Sequence, residues 1–194
     1  EKIDNEISKE GIQAVNVLQP AISSHGFNDP KKVYFIIYGG SNRDVCASSQ
    51  LPSYATEGII ANTAALYYPG KRSGSCIDNN GGFKPEFNET AKAALHEILH
   101  VLGAVPQCAE DHLVFDSEGT INDGIGGHIA IPGDIMYSVQ SNVTYDKAKH
   151  LDYKSTNYYN HNNENCLDIA RSRYVVPTVD NPQLPTFTVK WLSS

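Results

Sequence analysis

Apolar side chains near the start of the chain recur at nearly helical spacing. They are Ile3, Ile7, Ala14, Val15 and Leu18. Because residues three, four and seven apart lie on one side of an α-helix, this pattern predicts an amphipathic helix from about Asp4 to Gln19. Gly11 weakens the helix, since glycine is about 1 kcal/mol less favourable than alanine in a helix interior.

Two apolar runs further along the chain predict β-strands. The run "KKVYFIIYGG" at residues 31–40 is dense in β-branched and aromatic residues and ends in two glycines, which is typical of a buried strand. The run "GIIANTAALYYPG" at residues 58–70 is bounded by glycines and ends in a Pro-Gly turn, so it predicts a second strand. Residues 41–57, between the two runs, have the composition of a loop.

A second helical pattern starts at Asn88, whose side chain can cap the first turn. The segment "ETAKAALHEILHVL" that follows is rich in good helix formers, and Gly103 then supplies a C-terminal stop. The pattern gives this helix a core face formed by Leu95, Ile98, Leu99 and Leu102.

The remainder of the chain is rich in turn residues, with one short predicted helix in "NCLDIARSRYV" at residues 165–175. The order of helix, strands, long helix, loops and helix indicates an α+β fold. We expect a single domain at 1–174, with an N-terminal subdomain at about 1–103 and a C-terminal subdomain at about 104–174. Residues 175–194 carry three prolines and predict an extended arm or linker.

Composition excludes two classes of partner. The net charge is -7, and the sequence has no basic block of the kind that phosphate binding requires, so a nucleic acid is not expected as a ligand. No apolar run approaches the roughly 18 residues of a membrane span.

The four cysteines indicate an oxidising compartment. Their wide spacing includes no CxxC pair and fits two disulfides, for which three pairings are open. We favour Cys46–Cys76 and Cys108–Cys166, which pair neighbours in sequence. Two glycosylation sequons, at Asn88 and Asn142, also suit a secreted chain. The polar N-terminus lacks a signal peptide, so we expect a leader or pro-segment to have been removed.

The most informative motif is "HEILH" at residues 96–100, which matches HExxH. On a helix, His96 and His100 lie on one face about 6 Å apart along the axis. Two imidazoles so arranged can bind one Zn²⁺ at about 2.0–2.1 Å. Glu97 shares that side of the helix and is the candidate general base. The competing interpretation is a helix whose two histidines only face solvent.

"HEILHVLG" followed by "GDIMYS" resembles the metzincin clan of zinc endopeptidases, whose signature is HExxHxxGxxH and then a methionine-containing turn. Gly103 matches the glycine of that signature, and Met136, the only methionine, matches the turn. Pro106 stands where the third histidine of the signature would be, and proline cannot bind zinc. The resemblance covers residues 87–137 and extends more loosely to bacterial secreted metzincin-like proteins.

By resemblance to matrix metalloproteinases, His128 is the predicted third zinc ligand. It precedes Met136 by eight residues (136 − 128 = 8), the interval found in that family, and an insertion after Gly103 would displace it. His112 is the alternative ligand. Asp111 or Asp123 is a more distant choice. The other histidines, His25, His150 and His161, have no spacing that suggests ligation and are interpreted as surface groups.

The resemblance implies a metzincin-like fold: a small mixed twisted sheet, an active-site helix and a loop-rich C-terminal subdomain. It also implies a secreted zinc endopeptidase with a protein or peptide substrate, for which an N-terminal pro-segment or an inhibitor is a candidate further partner. In the clan an antiparallel edge strand aligns the substrate, and residues 58–70 are the candidate here. Structural Ca²⁺ is a further expectation of the clan. Its candidate loop is acidic, but a solvated loop is the favoured interpretation; the acidic residues are Asp111, Asp116, Glu118 and Asp123.

Two alternatives to a peptidase remain open. The first is a catalytically silent metal-binding or adhesion module with the same fold. The intact Glu97 argues against it, because loss of that residue is the simplest way to silence the site. The second is another HExxH architecture with a glutamate ligand on a later helix. Glu164 is its one late candidate.

Overall fold

The structure is a computed structural model, and it describes residues 14–39, 47–50, 61–67, 87–113, 127–137, 150–172 and 174–175. The described elements are two helices and a three-stranded mixed sheet, so the coarse α+β prediction is confirmed. The subdomain boundary near residue 103 stays a prediction. The predicted arm lies, except for its first residue, outside the described residues.

The first helix, α1 (Ala14–Ser24), runs further than its sequence pattern predicted. It continues through Pro20 because Ile22 adds another buried apolar side chain to the face that Val15 and Leu18 form. The predicted start at Asp4 lies outside the described residues. The helix ends at Ser24, and Gly26 turns the chain just after it with a φ of 87°, which glycine adopts without strain.

Three strands form the sheet in the order β1–β3–β2. They are β1 (Tyr34–Tyr38), β2 (Ala47–Ser49) and β3 (Thr63–Tyr67). β1 pairs with β3 in parallel, and β2 pairs with β3 antiparallel. All five β3 residues are buried, whereas Ile37 in β1 is 67% exposed, so the prediction that β1 is a buried strand was wrong.

Residues 58–70 were predicted to supply an edge strand, and this was also wrong. β3 lies in the middle of the described sheet, and the outer antiparallel strand is β2. β2 falls in the segment that was interpreted as a loop. Its sequence, Ala-Ser-Ser, has no strand-forming pattern of its own. Its strand conformation comes instead from pairing with β3.

The long helix α2 (Phe87–Leu102) packs against β3 and β2. It ends at Leu102 as predicted but begins at Phe87, two residues before the predicted segment, so Asn88 lies inside the helix and the prediction that it caps the first turn was wrong. Its predicted core face was wrong at Leu95, which is 42% exposed. Leu99 is buried as predicted, and Ile98 and Leu102 are half-buried. The buried residues of α2 also include the two histidines and the glutamate of the motif; the full set is Ala93, His96, Glu97, Leu99, His100 and Val101.

The chain beyond α2 is irregular and forms a second core beside the helix. This core contains Leu99, Val105, Ile129, Met136 and Tyr158, among others. A disulfide joins Cys108 to Cys166 and confirms that predicted pairing, while Cys46 and Cys76 lie outside the described residues. The predicted helix at 165–175 shrinks to a 3-10 turn at Ile169–Arg171, because Ser172 is extended.

The described helices include none with the length and apolar character of a membrane span.

Candidate metal centre

Three histidines from two parts of the chain converge beside α2. One ring nitrogen from each of His96, His100 and His128 lies within 4.8 Å of the others. The ring centroids are 4.5 Å apart for His96 and His100, 5.2 Å for His96 and His128, and 4.8 Å for His100 and His128. These side chains form a candidate site for a metal ion.

The helix supplies the first two imidazoles. His96 and His100 are one turn apart, only 2% and 5% exposed, and their Nε2 atoms lie 3.0 Å from each other. The interpretation that they face solvent was therefore wrong. They are buried because the side of α2 that carries them packs toward the sheet and the loop core.

Gly103 ends the helix and turns the chain toward the site. Its φ is +95°, its N–H donates to the His100 carbonyl, and the Ala104 N–H donates to the Leu99 carbonyl. This pair of bonds is the Schellman ending that glycine favours. A Cβ on Gly103 would meet only Leu167, no closer than 3.6 Å, so the dihedral angle rather than space requires glycine.

Val105 connects this turn to the loop that carries His128. It has a φ of 50°, unusual for a β-branched residue, and is 1% exposed. Its carbonyl accepts a 2.8 Å bond from the N–H of Gly127, the residue before His128. The loop therefore brings His128 back to the end of α2. In the zinc-binding signature the third ligand comes from this end of the helix, where the present chain has Pro106. Further backbone bonds, from Leu113 to His128 and from Ile129 to Met136, hold it there.

The turn at Gly133–Tyr137, here named the Met136 turn, forms a hydrogen bond with His96. The Ile135 carbonyl accepts a 2.7 Å bond from Nδ1 of His96, which leaves Nε2 to face the other histidines. Met136 is fully buried in the loop core. The turn itself is closed by the Asp134 carboxylate, which accepts from the Met136 N–H at 2.8 Å.

Burial keeps the two helical imidazoles neutral. Desolvation, followed by the positive charge that His128 would carry, lowers the pKa of His96 to about 3 against the opposing effect of its bond to Ile135. Desolvation also brings the pKa of His100 well below its usual value, with His96 and His128 as lesser causes. A neutral imidazole is the form that binds a metal.

Glu97 lies on the same buried side of α2 and is 7% exposed. Desolvation raises the pKa of its carboxyl to about 7, and a hydrogen bond with the Ser49 side chain, on β2, acts in the opposite direction. A carboxyl group with this pKa can accept and release a proton near neutrality.

The other predicted ligands lie elsewhere or are not described. The backbone of His112 pairs with Ile129, and its ring is not one of the three that converge. Asp111 accepts a bond from the Asn157 amide. Glu164 is exposed and outside the cluster. Asp123 and most of the acidic loop lie outside the described residues, so the calcium expectation stays untested.

The interpretation of the remaining histidines as surface groups is confirmed for His25 and His150, which are exposed. It was wrong for His161, which is 5% exposed and donates through Nε2 to the Leu167 carbonyl at 2.8 Å. Its Nδ1 accepts from the Asn163 N–H. His161 therefore fixes the loop beside Gly103.

Sequence reasoning missed two groups near the site. Ser49 gave no signal, because its segment has no recognisable pattern. Asp134 stands in "GDIMYS" and could have been noticed there, but its partner Tyr158 is 24 residues away.

Comparison with protein-family models, with curated proteins and with solved structures finds no match to the chain.

Proposed function

We propose that this protein is a secreted zinc endopeptidase of the metzincin type. The observation that carries the proposal is the convergence of three imidazoles beside a buried carboxyl group, that of Glu97. A metal bound by three histidines keeps a coordination position open, which is the arrangement of catalytic rather than structural zinc sites.

The donor set fits zinc. Two nitrogen ligands at 2.0–2.1 Å from a tetrahedral ion are about 3.3 Å apart, close to the 3.0 Å between Nε2 of His96 and Nε2 of His100. Nδ1 of His96 is bonded to a carbonyl, as in most histidine ligands, so that Nε2 is directed at the site. His100 is buried, and its Nδ1 has no hydrogen-bond partner among the described residues.

Zinc would supply Lewis acidity, which lowers the pKa of a coordinated water to about 7 and polarises a carbonyl oxygen. Glu97 performs the proton transfers. Its carboxylate takes a proton from the attacking water and delivers it to the amine nitrogen that leaves when the peptide bond breaks. Burial raises the pKa of Glu97 in the metal-free protein, whereas a bound Zn²⁺ would favour the carboxylate, which is the form that accepts the proton from water.

β2 is the strand that we propose aligns the substrate. It is the outer strand of the described sheet, it packs against α2, and its Ser49 is bonded to Glu97. An extended peptide that added to the side of β2 away from β3 would bring a peptide bond toward Glu97. The disulfide Cys108–Cys166 supports an oxidising, extracellular location.

Hydrolysis of a fluorescent casein by the zinc-loaded protein tests the proposal. A chelator should abolish the activity, and Glu97→Gln should lower kcat by about 10²–10⁴-fold, the usual contribution of a general base. Glu164→Gln is the matched control, because it makes the same chemical change at an exposed site.

Retention of activity in Glu97→Gln would contradict the proposed role of that residue. A zinc-loaded wild type that is inert toward a broad peptide library would instead favour the metal-binding or adhesion module.

A further inference from the structure

A buried polar network lies beneath the Met136 turn. It joins Asp134 and Asp152, which are 2% and 4% exposed, through the fully buried Tyr158. The Tyr158 hydroxyl accepts from the Asp152 N–H at 2.6 Å and donates to Oδ1 of Asp134 at 2.8 Å. Burial and the nearby Asp134 charge raise the pKa of Tyr158, so its hydroxyl stays a donor.

Asp152 organises the loop that holds this tyrosine. Its carboxylate accepts three backbone N–H bonds, from Asn157, Tyr158 and Tyr159. Asp152 itself has a φ of 48°, in the left-handed region that aspartate adopts more readily than most non-glycine residues. Tyr158 is therefore anchored at its backbone and at its hydroxyl.

The network reaches the candidate metal centre through a single peptide group. Oδ1 of Asp134 accepts from the Met136 N–H, and the carbonyl on the other side of that peptide bond belongs to Ile135. That carbonyl accepts from Nδ1 of His96 at 2.7 Å. Because a peptide group is rigid and planar, the carboxylate that holds its N–H also fixes the direction of its C=O.

We propose that Asp134, held in place by Tyr158, is a positioning residue for the metal ligand His96 and acts through the Ile135–Met136 peptide group. The carboxylate polarises this peptide group, which strengthens the bond that Nδ1–H of His96 donates to the carbonyl. This makes Nε2 of His96 a better electron-pair donor to a metal. The inference rests on the metal site of the proposed function but does not require peptide hydrolysis.

A purely structural role would also explain a buried network, so the test must separate metal binding from stability. Tyr158→Phe removes only the hydroxyl. Tyr67→Phe is the matched control, because Tyr67 is also fully buried and its hydroxyl makes a 2.7 Å bond, with Ser48 in the sheet. Tyr158→Phe loses the two bonds of its hydroxyl, and Tyr67→Phe loses the bond with Ser48. A structural role alone therefore predicts lower stability in both variants and an unchanged Co²⁺ affinity in both.

Co²⁺ alone is the probe, with affinity measured by chelator competition and the site geometry by visible absorption. We expect Tyr158→Phe to bind Co²⁺ about 10-fold more weakly than wild type, a usual effect of losing a group that supports a metal ligand. We also expect its absorption bands to shift. Tyr67→Phe should also lower Tm but leave the Co²⁺ affinity and spectrum unchanged.

A second pair of variants tests Asp134 directly. Asparagine keeps an oxygen that can accept from Met136 and Tyr158 but loses the charge, whereas alanine loses both. The Co²⁺ affinity should therefore decrease from wild type to Asp134→Asn and again to Asp134→Ala. If the affinity and spectrum of both Tyr158→Phe and Asp134→Asn equal those of wild type, the inference is wrong.

The two hypotheses fail in different ways. The proposed function fails if metal-loaded wild type hydrolyses no peptide, an outcome that leaves the Co²⁺ comparisons able to support the inference. A wild-type protein that binds no Co²⁺ overturns the metal site and the inference together.

Discussion

Each histidine at the centre has a different structural origin. His96 is oriented by the Ile135 carbonyl, His100 by its place one turn along α2, and His128 by backbone bonds on both sides of it. The choice between His128 and His112, which the sequence left open, therefore depends on the path of the loop. The observed path brings the His128 ring to the helix.

The exchange of each candidate third ligand tests this choice. His128→Ala should lower Zn²⁺ affinity by at least about 100-fold, since loss of a ligand costs more than the 10–100-fold that follows loss of an outer partner. His112→Ala should keep affinity near that of wild type. Competition with a chromophoric chelator measures both, and the reverse ranking would contradict the predicted ligand set.

Burial of the Glu97 carboxyl group lowers the free energy of unfolding by an amount that depends on pH. Its pKa is about 7 in the folded, metal-free protein, above the ordinary 4.5, so the folded state binds more protons than the unfolded state between these values. Stability should therefore fall as pH rises through this window. At one pKa unit per 1.36 kcal/mol, the full cost is about 3 kcal/mol.

In metal-free protein, Glu97→Gln should remove this cost. Its free energy of unfolding, relative to that of wild type, should rise between pH 4.5 and 7 and then level off. Urea titrations at several pH values measure the difference. Glu164→Gln is again the exposed control, and a wild-type–Glu97→Gln difference that does not change with pH would contradict the burial argument.

At the scale of the element, the end of α2 determines where the following loop begins. Gly103 and Gly26 end the two helices in the same way, each with a positive φ and with two backbone bonds to the last turn. Only the turn at Gly103 leads to the loop with Val105, whose carbonyl binds Gly127 beside His128. The two glycines thus have equal local roles and unequal relations to the metal centre.

Alanine at either glycine should cost about 1–2 kcal/mol, because a Cβ disfavours the left-handed conformation. Space is not limiting at either position. Gly103→Ala should also weaken Zn²⁺ binding, while Gly26→Ala should not. Unfolding in urea and metal competition on the same samples measure the two effects. Equal Zn²⁺ affinities in the two variants would show that the helix end at Gly103 does not affect the metal centre.

At the scale of the whole molecule, the Cys108–Cys166 disulfide joins the loop after α2 to the C-terminal part of the described chain. Between these ends lie His128, the Met136 turn and the Tyr158 network. Because the bridge closes a long segment, with a sequence separation of 58, it restricts the unfolded chain strongly.

Replacement of both cysteines with serine should lower the free energy of unfolding by about 4 kcal/mol, the loop-entropy value for a segment of this length. Unfolding in urea, compared with that of wild type at the same metal concentration, measures the loss. An unchanged unfolding midpoint would show that the bridge does not restrict the unfolded state in this way.

The local features of the chain were predictable from sequence. α2 and its end at Gly103, the positions of β1 and β3 and the HExxH pair depend on spacing within a few residues. Periodicity and the conformational preference of glycine act over that distance and so can be recognised in the sequence.

Only the tertiary structure decided which distant residues meet. His128 follows His100 by 28 residues (128 − 100 = 28), and its approach to the helix depends on Val105, Gly127 and the loop core. Packing likewise decided the outer position of β2 in the described sheet and the contact of Ser49 with Glu97. It also decided the burial of His161 and the Asp134–Tyr158 bond. The physical reason is that these contacts join segments without local pattern, whose conformations become favourable only when other elements pair with them or bury them.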